Sequence, residues 1–215
     1  DNIKATTEEK AAMEKMLHEA LDAGFLGMST MDSPWDKMDG EKYWSHKTPS
    51  FYASWKERKS LIEILRDKDA ILQGAPNLVT RVSAAGYMLA SSGIFRKKKL
   101  KTTMIALMDL IGDRYILSLV GGLSKFVNGF LKADFRMQSP PVPFTVYYDG
   151  VDSVMFEEFP SGEALRHLAK NLDQRNELIQ NKEFRKNFKA EIKKKFAPKV
   201  WHRDLSIAYI LRCPD

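Results

Sequence analysis

The sequence predicts an α/β chain built from parallel βα units, and three observations carry that expectation. Apolar runs of strand length alternate with segments of helical periodicity, and two of the helical segments open with a hydroxyl residue followed three places later by Glu. Glycine and proline fall between the two kinds of segment. Strands alternating with helices imply a parallel sheet, closed as a barrel or open and doubly wound.

The first helix is predicted from Thr6 to Gly24. Thr6 and Glu9 have capping-box spacing, Met13, Met16, Leu17, Ala20 and Leu21 form one apolar stripe, and Gly24 is a natural stop. "FLGMST", residues 25 to 30, then reads as a short buried strand. The connection from Met31 to Ala53 is long and carries Trp35, Tyr43, Trp44, Phe51 and Tyr52, which marks it as functional. Ser54 with Glu57 starts a helix that runs to Asp67 with Leu61, Ile62 and Leu65 facing inward, and "AILQGAP", 70 to 76, is the next strand, stopped by Pro76.

The order repeats with a helix over Thr80–Ala90, the basic connector "RKKKLK" and a strand-length run "TTMIALMD" at 102 to 109. Helical periodicity returns over Tyr115–Leu131. "PVPFTVYYDGVDSVMF", 141 to 156, is rich in β-branched and aromatic residues with a turn signal at Asp149 and Gly150, and is read as β structure. Ser161 to Phe196 looks wholly helical, as an inserted helical pair, and Ile207–Arg212 is read as a closing strand ended by Pro214.

Composition narrows the functional classes. A formal net charge of +6 arises from 34 basic and 28 acidic residues mixed along most of the chain, which mainly aids solubility. The basic stretch 182 to 196 carries its Phe and Ile at helical spacing and reads as an amphipathic helix with a solvated face. No aromatic stacking pattern accompanies the charge, so no nucleic-acid partner is expected. No run approaches the roughly 20 apolar residues needed to span a bilayer, and no membrane partner is expected. The one cysteine, Cys213, excludes an internal disulfide and fits a reducing, cytoplasmic compartment. The chain opens at Asp1 and stops directly after an apolar run, so it is expected to be a fragment of a longer protein.

The candidate chemistry is sparse. His18, His46, His167 and His202 form no HxH or HExxH pattern, and there is no CxxC. His46, on the aromatic loop, is the one placed best for substrate contact. "WHRDL", 201 to 205, shares letters with the kinase catalytic loop, but Tyr209 stands where that loop needs Asn, and no glycine-rich loop or DFG is present. Gly121 and Gly122 before Ser124 and Lys125 lack P-loop spacing, and Glu157 with Glu158 reads as a solvated strand end. In "DFRMQSPPVPF", 134 to 144, Arg136 and Gln138 share parity, and an Arg there can clamp a carboxylate.

"MLHEALDAGFLGMSTM" resembles a segment of the D-aminoacylases and related N-acyl-D-amino-acid deacylases of the amidohydrolase superfamily, in which E-A-x-x-A-G-x-x-G-x-S-T leads from a helix into a barrel strand. "LIEILRDKDAILQGAPN" resembles the following helix and strand, and "VWHRDLSIAYILRCPD" the stretch after a helical insertion. The resemblance implies part of a TIM-like (β/α) barrel over 1–160, a helical insertion over 161–198 and a return to a barrel strand over 199–215. It implies a zinc-dependent hydrolase acting on linear amides, in which the metal polarises the carbonyl and activates water.

The departures from that pattern are specific. Ala75 and Leu107 stand near positions where the family has metal-binding histidines, and neither can hold a metal. No metal ligand and no catalytic residue is therefore assigned in this chain, and the fragment alone is expected to be inactive. Ser29, Thr30, His46, Gln73, Asn77, Asp109, Arg136 and Gln138 are the expected substrate-binding residues, close to the strand ends where barrels keep their sites. The alternatives are a non-catalytic relative that binds a small acyl or amino-acid ligand, and an interaction module that uses the basic helix 182–196 to contact an acidic partner. An incomplete barrel leaves an unpaired edge, so association with the missing remainder or with another copy is expected.

Overall fold

The computed structural model describes residues 4–77, 82–94, 98–105, 115–140, 142, 145, 147–148, 150–194, 206 and 209–212. The chain divides into two compact units, one of Asp1–Asp109 with Tyr115–Thr145 and one of Leu110–Arg114 with Val146–Asp215.

The first unit alternates helix and strand: α1 (Thr7–Asp22), β1 (Gly27–Met31), α2 (Pro49–Tyr52), α3 (Trp55–Asp67), β2 (Ile71–Ala75), α4 (Val82–Ser91), β3 (Lys101–Met104), α5 (Ile116–Phe130) and β4 (Asp134–Met137). The four strands form one parallel sheet in the order β1-β2-β3-β4, so each new strand is added beside its predecessor in sequence. This order is that of a singly wound sheet. A doubly wound sheet would reverse direction at a switch point.

Both expected capping boxes are formed. Thr6 Oγ1 accepts from the Glu9 N–H while Glu9 accepts from the Thr6 N–H, and Ser54 and Glu57 do the same at the start of α3. Helices α3, α4 and α5 pack on β2, β3 and β4 respectively. Leu65, Leu72, Tyr87, Leu100 and Phe135, none more than 1% exposed, form the centre of the core between the layers. Gly74 allows the close approach of α4, because a Cβ there would lie 2.3 Å from the Tyr87 ring. Arg66 of α3 is buried and donates to the carbonyls of Ala90, Ser92 and Lys98, which fastens the end of α4 and the connector into β3.

The third and fourth expected strands are corrected. The third strand is shorter than 102 to 109: it spans Lys101–Met104, Ile105 adds one more ladder bond to Gly74, and residues 106–109 lie outside the described residues. The fourth is Asp134–Met137, where Phe135 and Met137 alternate with Asp134 and Arg136 over a stretch too short to stand out. In 141 to 156 the described residues form no strand, and Val154–Glu158 is a 3-10 helix. The prolines of that stretch and its Asp-Gly turn outweigh its β-branched composition.

Helix α5 is apolar almost throughout but only Val127 is buried among its described side chains, and Leu119, Leu123, Phe126 and Phe130 are exposed. Asn128 on the same helix takes both backbone groups of Phe135, its Oδ1 accepting from the N–H at 2.9 Å and its Nδ2 donating to the C=O at 2.8 Å. The amide side chain thus bonds the β4 backbone as a neighbouring strand would.

Among its described residues the second unit holds the 3-10 helix and three α-helices, α6 (Pro160–His167), α7 (Leu172–Gln180) and α8 (Lys182–Lys193), where the sequence suggested a pair. Asn171 and Asn181 cap α7 and α8 and so break what composition made look continuous. Phe188 of α8 packs edge-on against Phe159, and Lys182, Lys186, Lys189 and Lys193 lie exposed on the other side. Glu157 is buried in an ion pair with Arg166 at 2.6 Å, with Asp152 at 3.1 Å from the same guanidinium, so it is a packed charge and not a solvated strand end. The closing strand expected over Ile207–Arg212 is absent at Tyr209–Arg212, which have no regular structure, and residues 207 and 208 lie outside the described residues.

Candidate functional site

Side chains alternate across a strand, so each strand offers one set to the helices and another to the opposite face. Leu72, Thr102 and Phe135 point to the helices and are buried. In register on the opposite face stand Ser29, Gln73, Thr103 and Arg136, one from each strand. Ser29 and Arg136 are exposed and Gln73 and Thr103 half-buried. The face is a polar row across four parallel strands.

The hydrogen bonds within the row leave defined groups for a ligand. Ser29 Oγ donates to Gln73 Oε1 at 3.1 Å, which directs the Gln73 amide hydrogens outward. Gln138 Nε2 donates to Thr103 Oγ1 at 3.1 Å, which leaves Gln138 Oε1 as an acceptor. Arg136 is largely exposed, with Asp134 at 3.6 Å. The row therefore presents a carbonyl-binding donor, an acceptor suited to an amide N–H and a guanidinium suited to a carboxylate.

A second arrangement lies beyond the C-terminal ends of β1 and β2. A cleft of about 260 Å³ is lined by Asp32, Phe51, Ala53, Trp55, Arg58, Asn77 and Ser83. Arg58 Nη2 donates to Asp32 Oδ1 at 2.5 Å and to the Ser50 carbonyl, and each side chain of the ion pair is only 8% exposed. Thr30 and Tyr87 share a hydrogen bond of 3.0 Å beneath this pair. Burial pushes the Tyr87 phenol up to about 12, against the Thr30 bond, which lowers it.

The expected substrate-binding residues separate between these places. Ser29, Gln73, Arg136 and Gln138 gather on the open face. Thr30 is buried on the helix side against Tyr87. Asn77 lines the cleft, where its N–H donates to Ser83 Oγ at 2.7 Å. His46 is exposed on the aromatic loop, edge-on to Tyr43. Asp109 lies outside the described residues.

Sequence reasoning missed Thr103, Asp32 and Arg58. Thr103 could have been found by parity, because it sits in the apolar run "TTMIALMD" two residues from Lys101. The Asp32–Arg58 pair has no sequence signal, since its members are brought together only when α3 packs on the sheet beside β2. Among the described residues no group of three or more His, Cys, Asp or Glu side chains could hold a metal ion. No described helix is long and apolar enough to cross a membrane.

Comparison with known proteins places the chain beside uncharacterized proteins of Mycobacterium bovis and Mycobacterium tuberculosis. It is 42% identical to each over 217 aligned residues, which cover all of this chain and 35% of the relative. The chain thus spans about a third of the length of the curated relatives it matches. No family model matches it, and no solved structure does.

Proposed function

We propose that the chain forms the ligand-holding part of an amidohydrolase-type TIM-like barrel, acting on linear amides such as N-acyl-D-amino acids. The observation that supports this reading is the polar row of Ser29, Gln73, Thr103 and Arg136 on the face of a sequentially ordered parallel sheet opposite to its helices. In such a barrel that face is the lumen, and sites gather toward the C-terminal strand ends. Gln73 would donate to the acyl carbonyl, Gln138 Oε1 would accept from the amide N–H, and Arg136 would hold the carboxylate. These residues bind and orient the substrate.

The zinc implied by the resemblance does not fit the residues described here. Ala75 ends β2 with a methyl group, and no acid, histidine or cysteine cluster stands near the open face among the described residues. Cleavage is accordingly assigned to no residue of this chain. The same Ala75 favours a second reading, a non-catalytic relative that binds the ligand and releases it unchanged. The cytoplasm, with its reduced thiols, is the proposed compartment for either.

The deciding assay supplies the full-length protein with zinc and N-acetyl-D-leucine and follows release of free leucine while binding is measured by calorimetry. Turnover supports the hydrolase, and binding without turnover the non-catalytic relative. Neither binding nor turnover of any N-acyl amino acid overturns both.

A further inference from the structure

The cleft beyond β1 and β2 is built from charged groups that the open face does not use. Asp32 continues the parity of Thr30, on the side of the sheet opposite to Ser29 and Gln73, and its N–H extends the ladder to the Ala75 carbonyl at 2.8 Å. Its carboxylate and the Arg58 guanidinium are both more than nine-tenths buried. Holding such a pair out of water is costly, and the cost is recovered only when the remaining lone pairs and protons are also satisfied.

Here they are not. Asp32 Oδ2 is buried and meets no described residue in a hydrogen bond of normal geometry, while the nearby Tyr87 hydroxyl, bonded to Thr30, feels the Asp32 charge. The Arg58 bonds to Asp32 and Ser50 both come from Nη2, so Nη1 and Nε donate no hydrogen bond to a described residue. One buried acceptor is thus left over at the cleft, beside guanidinium donors that make no hydrogen bond to a described residue. Beside them the rings of Phe51 and Trp55 form an apolar wall, and the Ser83 hydroxyl and Asn77 add polar lining.

We propose that this cleft binds the zwitterionic head of a free α-amino acid. The ammonium completes Asp32, the carboxylate takes the remaining Arg58 donors, and the side chain lies against Phe51 and Trp55. The charge balance selects this class: one carboxylate and one guanidinium together repel neither end of a zwitterion, whereas a simple anion meets Asp32 and a simple cation meets Arg58. The volume, below the 300 Å³ or so at which drug-sized sites begin, suits a molecule of that size. The site is independent of the ligand proposed for the open face.

The test titrates the full-length protein with D- and L-leucine and phenylalanine by ligand-observed NMR, with N-acetyl-leucine and leucinamide as probes that each lack one charge. The expected result is binding of the free amino acids, weakened about tenfold or more by Asp32→Asn and by Phe51→Ala and unchanged by Lys15→Ala on the exposed side of α1. Thermal melts of each variant confirm folding, and Phe51→Ala, which leaves the ion pair intact, serves if Asp32→Asn does not fold. Binding that is undiminished in Phe51→Ala, or no binding of any free amino acid, would overturn the proposal. Failure of amide binding at the open face would leave this result untouched.

Discussion

Arg58 can be tested by itself because its loss would strand a charge. Arg58→Met removes the partner of a carboxylate that is 8% exposed and should cost about 3–5 kcal/mol in chemical denaturation. The double variant with Asp32→Leu should recover much of that loss, and additive losses would contradict the account. Glu57 makes the corresponding prediction for pH. Hydrogen bonds from the Ser54 backbone and side chain and from the Ala5 N–H hold its carboxyl down to about 2, from an ordinary value of 4.5. A depressed carboxylate stabilises the fold above its unfolded value and loses that contribution as pH falls through its folded one. Between pH 4.5 and 2 the melting temperature of the wild type should therefore fall more steeply than that of Glu57→Gln; parallel curves would count against the capping role. Some of this was readable in advance, since Ser54-x-x-Glu57 announces its bond and the shared parity of Arg136 and Gln138 announces a common face. Thr30 was read as a neighbour of Ser29 in the site, yet adjacent strand residues point to opposite sides, and only the helix position decided which side was covered.

At the scale of elements, helices were easier to read than strands. A helix of sixteen residues such as α1 repeats its stripe several times and carries its own cap. β4 has four residues and two apolar side chains, and its identity depends on β3 lying beside it. The Asn128 side chain gives this strand a second anchor. Asn128→Ala should cost about 1–3 kcal/mol and speed amide exchange at Phe135 more than at Thr102, the neighbour in register on β3. Equal exchange at both sites would show that the bond contributes nothing to the edge. In the proposed barrel, a fifth strand pairing with β4 would have to displace Asn128 from Phe135.

At the scale of the molecule, the sequential parallel sheet was legible from alternation, and the choice between a singly and a doubly wound sheet was not. That choice depends on which side each crossover takes, and the strand order β1-β2-β3-β4 supplies it. The relatives extend to about three times the length of this chain. What the chain itself carries is a polar face, and the proposed ligand for its donors and acceptors is an N-acyl amino acid. Calorimetric titration of the full-length protein with N-acetyl-D-leucine, wild type against Arg136→Ala and Gln73→Ala, tests that match most directly. The account predicts dissociation constants raised about ten- to a hundredfold in Arg136→Ala, from loss of a charge-assisted bond, and by a smaller factor in Gln73→Ala. Unchanged affinity in both variants, with the fold intact, would contradict it.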